Sequence, residues 1–151
     1  MKNNKGFTLV EVVVSFSLIM IVMVYLIKTV VVVSSEETDL VTEQQYSVYQ
    51  STLLEKIYSD ISVAADITVS SNGNTITITS KEWVPNNKTI SFDNNSITYD
   101  NTIYELPDNC EFKSTKYSIV QQENYYENYY IIKINIKVND KDKIMKIIIQ
   151  N

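Results

Sequence analysis

Glu11 is the residue whose chemical type fits its surroundings least. It lies near the start of a long apolar run, residues 7–33, in which Lys28 is the other formal charge. A carboxylate inside a membrane-spanning segment is costly and therefore marks a functional hypothesis. No nucleophile or metal ligand accompanies Glu11, so the pattern does not indicate a general base. A cation at the same membrane depth would neutralise the carboxylate.

The peptide bond between Gly6 and Phe7 is a candidate source of that cation. Cleavage there would release the α-amino group of Phe7, four residues before Glu11. In a stack of identical helices, the amine of one subunit could meet Glu11 of its neighbour. Gly6 suits a peptidase because it places no side chain at the bond to be cut.

Residues 5–11 read KGFTLVE and lead into a long apolar helix, which resembles the processing signal of type IV prepilins and pseudopilins. The resemblance covers about the first 33 residues. It implies cleavage after Gly6 by a prepilin peptidase, N-methylation of Phe7, and registration of subunits by Glu11 during assembly. It also implies, as partners, other pilin or pseudopilin subunits, a membrane platform protein and a cytoplasmic assembly ATPase.

A membrane-spanning helix would position these residues. Val, Ile, Leu, Met and Phe fill 17 of the 22 positions from 12 to 33, and a bilayer core needs about 20 apolar residues. Their summed insertion free energy, about −7 kcal/mol, outweighs about +3 kcal/mol for Lys28. We expect a cytoplasmic leader at residues 1–6, kept inside by Lys2 and Lys5, and a transmembrane helix in contact with lipid at residues 7–33.

Two plainer interpretations of the N-terminus stay open. A secretory signal, cut near residues 33–35, would have an apolar region of about 7–15 residues; this run is longer, and Glu11 would be a defect in it. A single-span anchor leaves Glu11 unexplained. On this second interpretation, the protein is a membrane-anchored extracytoplasmic binding protein that does not polymerise.

Composition excludes several functions. All 13 basic residues are Lys, and the absence of His excludes His-based catalysis and His metal sites. Beyond Ser35, 10 Lys stand against 17 Asp and Glu, a net charge of −7, which does not favour nucleic acid as a partner. A competence subunit that takes up DNA would need a basic surface. We predict no catalytic residue, no metal site and no cofactor.

Periodicity predicts the rest of the fold. Residues 34–65 read as an extracytoplasmic amphipathic helix, with continuity favoured over a restart at the capping-box pair Ser34 and Glu37. Its apolar stripe comprises Tyr46, Tyr49, Leu53, Ile57, Ile61 and Ala64, widened by Leu54 and Tyr58. Residues 66–151 alternate with a period of two and contain hairpin signals such as Asn72-Gly73. We therefore predict a pilin-like α+β fold in which the long N-terminal helix packs against an antiparallel β-sheet head, arranged as one meander.

Three smaller features have structural explanations. Cys110 is the single cysteine, so no intrachain disulfide forms, and we expect it to be a small buried side chain. Asp140 and Asp142 form a fragment of a calcium loop that lacks the other ligands, and a solvated turn is favoured. Core packing is favoured over a partner surface for four paired tyrosines: Tyr125, Tyr126, Tyr129 and Tyr130.

The sequence as a whole predicts a non-enzymatic minor pilin or pseudopilin of a type IV pilus-like filament. It would be a single-pass membrane protein with a cytoplasmic N-terminus and an extracytoplasmic head, found in a filament or fimbrium at the cell surface after assembly. The sequence does not separate adhesion, motility, type II secretion and DNA uptake.

Overall fold

The computed structural model describes residues 8–123 and 128–150. These ranges contain one long helix, α1 (Leu9–Ile61), followed by strands only, which confirms the predicted α+β class. The strands are β1 (Thr68–Asn72), β2 (Thr75–Thr79), β3 (Asn87–Phe92), β4 (Ser96–Tyr99), β5 (Thr102–Glu105), β6 (Cys110–Glu123), β7 (Asn128–Val138) and β8 (Lys141–Gln150). The chain divides into two compact units, Met1–Leu40 and Val41–Asn151.

The first unit presents the apolar part of α1. An 18-residue window of this helix has a mean hydropathy of 2.6 and no buried residue, so the helix is long and apolar enough to cross a membrane. Two of its hydroxyl groups bond within the helix: Ser17 Oγ donates to the carbonyl of Val13 (2.9 Å) and Thr29 Oγ1 to that of Tyr25 (3.0 Å). Such bonds remove the cost of placing a free hydroxyl in hydrocarbon.

The helix continues through the polar residues that follow the apolar run, and no restart occurs at Ser34. Thr38 Oγ1 donates to the Ser34 carbonyl (3.0 Å), a bond typical of a helix interior. The helix ends at Ile61, four residues before the predicted end at Ala65. The Ala64 amide bonds back three residues to Ile61 (3.0 Å), and Asp66 has a left-handed backbone with φ of 51°, which directs the chain away from the helix axis.

The second unit is organised around the C-terminal part of α1. The helix buries one stripe, which confirms the periodicity reading and adds Thr42: Thr42, Tyr46, Tyr49, Leu53 and Ile57. Leu54, Ile61 and Ala64 are partly buried against the same core, whereas Tyr58 lies at its edge.

The strands form two antiparallel sheets where a single meander was expected. Strands β1 to β5 pair in sequence order in one sheet, and β6, β7 and β8 form the other. The ladder is interrupted between β5 and β6, where Pro107 has no amide hydrogen to donate and Asn109 adopts a φ of 58°. Local sequence marks this irregular segment, but whether it divides a sheet depends on the pairing of distant strands.

Tight turns set the register of the hairpins. The β1–β2 loop consists of Gly73 and Asn74, one residue later than predicted, because Asn72 pairs with Thr75. Gly73 has a φ of 59°, a conformation that glycine adopts without strain. Asp100 and Asn101 between β4 and β5 both have positive φ, as a two-residue hairpin turn requires.

One continuous core lies between the helix stripe and the inner faces of both sheets. Aromatic contacts tie the sheets together: the Phe92 ring stacks on Tyr117 at 4.9 Å between centroids and meets Phe112 edge-on at 6.0 Å. Tyr117 Oη also donates to the Gly73 carbonyl (2.7 Å). The buried helix stripe and both sheets therefore form one packed unit.

Candidate functional site

Glu11 is held at the start of α1 by a capping box with Thr8. The Thr8 amide and hydroxyl both donate to Glu11 Oε2, at 2.8 and 2.9 Å, and the Glu11 amide donates to Thr8 Oγ1 at 3.3 Å. A side chain at the N-cap and an acid three residues later satisfy otherwise unpaired amides at a helix start. The pair fixes the carboxylate against the first turn.

The capping box leaves part of the carboxylate available. Both hydrogen bonds end on Oε2, and Oε1 accepts none from the residues that the structure describes. The N-terminal end of a helix carries partial positive charge, which favours a nearby carboxylate. Glu11 is therefore oriented by its own chain and can still accept a hydrogen bond or ion pair from another molecule.

The surroundings of Glu11 are apolar and open. Leu9 and Val10 beside it are exposed. A shallow depression on the next two turns of the helix is lined by Val12, Ser15, Phe16 and Ile19. This helix surface can pack against lipid or against another helix, and it offers no described cation to Glu11.

The structure describes only one of the three predicted site residues. Glu11 is described, whereas Gly6 and Phe7 lie outside the described residues. Sequence reasoning missed Thr8, although the Thr-x-x-Glu spacing that marks a capping box was present in the sequence.

A charged cluster joins the C-terminal part of α1 to the five-stranded sheet. Lys88 Nζ lies 2.7 Å from Asp60 Oδ2 and 3.1 Å from Asp100 Oδ2, and Tyr99 Oη donates to Asp60 Oδ2 at 3.0 Å. Burial alone would raise the pKa of Asp60, but the hydrogen bonds from Lys88 and Tyr99 outweigh it and lower the pKa. Burial opposes the charge of Lys88 as well, yet its two carboxylate partners raise its pKa. Lys56 Nζ lies 3.4 Å from the other oxygen of Asp60, so the cluster is a network of ion pairs, which suits a structural role.

Two tyrosines and the cysteine lie in the core of the second unit. Tyr46 and Tyr49 are buried with their rings 6.5 Å apart, and neither hydroxyl has a hydrogen-bond partner among the described residues. Burial raises the pKa of both hydroxyls, with a smaller contribution from Cys110. Cys110 is buried as predicted, and burial together with Asp108 raises the pKa of its thiol. These groups are neutral at physiological pH.

The remaining candidate residues have structural contacts. Asp140 pairs with Lys137 (2.8 Å) and Asp142 with Lys113 (2.7 Å), so lysines engage both carboxylates of the turn that resembled a fragment of a calcium loop. Tyr130 packs partly against the core. Tyr125 and Tyr126 lie outside the described residues.

The fold and the site together define a class: an α+β protein with an exposed apolar N-terminal helix whose capped start carries one carboxylate, an arrangement consistent with a pilin-like fold. The comparison with protein families makes this more specific. Residues 1–27 match the model of the prokaryotic N-terminal methylation motif, which supports a type IV prepilin-like signal, a type IV pilin-like protein and anchoring in a membrane. No curated protein and no solved structure matches the chain significantly.

Proposed function

We propose that this protein is a non-enzymatic subunit, a minor pilin or pseudopilin, of a type IV pilus-like filament. The observation that carries the proposal is the carboxylate of Glu11, held by Thr8 at the start of an apolar helix and lying within the matched methylation motif. In a simple anchor this acid would serve only to cap the start of the helix. Its second carboxylate oxygen acquires a role when a cation arrives at the same depth.

The cation is the α-amino group of Phe7 in a neighbouring subunit. The precursor is a single-span membrane protein with residues 1–6 in the cytoplasm and the β head outside. A prepilin peptidase cuts between Gly6 and Phe7, and Phe7 is then methylated. The free oxygen of Glu11, Oε1, accepts the ammonium group of the next subunit, which neutralises both charges in a medium where either alone is costly.

Lateral packing of the spanning helices supplies the remaining free energy of assembly. Helices in lipid associate through van der Waals contact and the neutralisation of polar groups. The exposed surface around Val12, Phe16 and Ile19 provides such contacts. Other pilin or pseudopilin subunits, a platform protein and an assembly ATPase complete the proposed machinery.

The mature N-terminus tests processing directly. Intact mass spectrometry and N-terminal peptide mapping of the protein from its native membrane should show a chain that begins with methylated Phe7. Gly6→Val provides the control, because a branched side chain at the cleavage site should leave the leader attached. A native chain that retains its first six residues would support the membrane-anchored, non-polymerising alternative instead.

Substitution of Glu11 tests assembly separately from processing. We expect Glu11→Ala to insert into the membrane and to be processed, but to be lost from sheared filaments in an immunoblot. Ser17→Ala is the matched control, since its hydroxyl bonds only within the helix. Normal incorporation of the Glu11→Ala protein would contradict the pairing mechanism.

A further inference from the structure

Two lysines on the three-stranded sheet stand out because of their position. Lys133 of β7 and Lys146 of β8 are directly opposite each other in the antiparallel register. Most lysines of the second unit contact a carboxylate, but these two have no ion pair or hydrogen bond with any described residue. Like charges directly opposite each other on a sheet are unfavourable, so the arrangement has an energetic cost in the isolated chain.

Apolar side chains flank the two lysines on the same outer face of the sheet. On one side, Ile131 pairs with both Val120 and Ile148; on the other, Ile144 lies two residues from Lys146. Ile148 and Ile144 are 50% and 54% exposed. We call this surface the lysine face: Val120, Ile131, Lys133, Ile144, Lys146 and Ile148. Along β8 it reads apolar, basic, apolar, whereas on β7 the residue that follows Lys133 on this face is the polar Asn135.

A complementary pattern occurs on α1. Val33, Glu36, Glu37 and Leu40 follow the spacing of one helix face. All four are exposed, and neither glutamate takes part in an ion pair between described residues. We call this surface the acidic stripe: Val33, Glu36, Glu37 and Leu40. Along the helix it reads apolar, acidic, apolar.

The two surfaces are similar in scale, with row spacings that differ by about 2 Å, a distance that the long side chains of Lys and Glu can span. Side chains on one face of a strand recur about every 7 Å, which separates the lysine row from each apolar row. The acidic pair on the helix lies about 5 Å along the axis from Val33 and from Leu40. A helix laid on the lysine face can therefore place its carboxylates on the lysines while its apolar residues meet the isoleucines.

The charge pattern selects the kind of assembly. Two lysine faces placed against each other would bring four lysines together, so a two-fold face-to-face dimer is disfavoured. A contact between different surfaces of identical subunits repeats from copy to copy and, when it does not close into a ring, forms an open helical polymer.

We propose that the lysine face of one copy of this chain docks on the acidic stripe of another copy. The inference rests on the proposed filament function and identifies a subunit contact outside the N-terminal site at Glu11. The docked lysines gain carboxylate partners that their own sheet does not provide, and the exposed isoleucines are covered.

Disulfide cross-linking between two tagged full-length copies in their native membrane tests the contact. One copy carries Lys146→Cys and the other Glu37→Cys; Cys110 can remain because it is buried. We expect about ten times more cross-linked dimer than with the control pair Lys81→Cys and Glu37→Cys, since Lys81 is exposed but lies outside the lysine face. Equal yields from the two pairs would overturn the proposal.

Charge reversal provides a second test of the contact between the lysine face and the acidic stripe. Lys133→Glu with Lys146→Glu should lower incorporation into filaments about tenfold, as should Glu36→Lys with Glu37→Lys, and combining all four should restore it. The control Lys81→Glu with Lys141→Glu changes the net charge equally, at residues outside the lysine face, and should assemble normally.

The outcomes separate this contact from the filament function. If the native chain assembles and the reversals have no effect, the contact is wrong and the filament function stands. If the native chain is absent from filaments, the filament function fails, and the cross-link still tests the contact in the membrane. Lysine-dependent binding to phosphatidylglycerol vesicles without a specific cross-link would identify anionic lipid as the occupant and overturn the proposal.

Discussion

Replacement of tyrosine by phenylalanine is expected to have opposite effects at two sites in the core of the second unit. Tyr49 and Tyr99 are both buried, yet their hydroxyls differ. The Tyr49 hydroxyl has no partner among the described residues, whereas the Tyr99 hydroxyl donates to Asp60 at 3.0 Å. The same chemical change therefore removes an unsatisfied group at Tyr49 and a charge-assisted hydrogen bond at Tyr99.

The magnitudes follow from hydrogen-bond energetics. A buried polar group without a partner costs about 1–3 kcal/mol, whereas a hydrogen bond to a charged group contributes about 1.5–3 kcal/mol. We expect Tyr49→Phe to raise the free energy of unfolding by about 1 kcal/mol and Tyr99→Phe to lower it by about 2 kcal/mol. Neither change leaves a cavity larger than one oxygen atom, so packing contributes little.

Trp83 provides the assay, because it is the single tryptophan of the chain and is buried in the second unit. Urea unfolding of the full chain in detergent, followed by Trp83 fluorescence, reports on this unit. Tyr46→Phe is an internal replicate of Tyr49→Phe, since its hydroxyl is also unpaired within the described chain. If Tyr49→Phe destabilises the protein as much as Tyr99→Phe does, the assignment of an unsatisfied hydroxyl is refuted.

The same assay serves three further predictions. Lys88→Met should lower the free energy of unfolding by about 2 kcal/mol, because it leaves the Asp60 carboxylate with only the more distant and more exposed Lys56 at 3.4 Å. The folded pKa of Asp60 is lowered, so the contribution of its ion pair with Lys88 is present above about pH 4 and is lost as the pH falls through that pKa. The stability of the variant should therefore fall less steeply in acid, and an unchanged slope would count against the ion pair. Leu53→Ala should lower the free energy of unfolding by about 3 kcal/mol, since the side chain is 0% exposed. A loss as small as that of Leu40→Ala, on the exposed surface of the helix, would contradict the core position of Leu53. Gly73→Ala should lower the free energy of unfolding by about 1 kcal/mol through its positive φ alone, because its surroundings would admit a methyl group. Gly73→Asn should lower it less, because Asn tolerates positive φ better than Ala. The reverse order would argue against the turn.

Features encoded by local spacing could be predicted from the sequence. Tyr46, Tyr49, Leu53 and Ile57 recur at three- and four-residue steps, so their burial on one helix face followed from the helical repeat alone. The position of the first hairpin followed, to within one residue, from the Asn72-Gly73 signal, because Gly73 tolerates positive φ. Glu11 was identified because a charge in an apolar run is rare.

Features that depend on pairing between distant segments could not be predicted. The division into two sheets and the irregularity of β6, where the register shifts between Phe112 and Tyr117, arise from which strands meet. The juxtaposition of Lys133 and Lys146 requires the register of β7 on β8, which their spacing in the sequence does not determine. The hydrogen bonds of Thr8 were predictable in principle, because the spacing of a capping box was present.

The bond between Tyr58 and β8 has a consequence for biogenesis. The Ile148 amide donates to the Tyr58 hydroxyl across 90 residues of sequence, and the inner side of β8 contributes Met145, Ile147 and Ile149 to the core. A ribosome adds about 5–20 residues per second, so the helix is made roughly 5–20 s before the strand that covers it. During that interval the apolar stripe of the helix is exposed to solvent in the nascent chain. We expect a chaperone or the translocation machinery to shield it until synthesis of the last strand is complete.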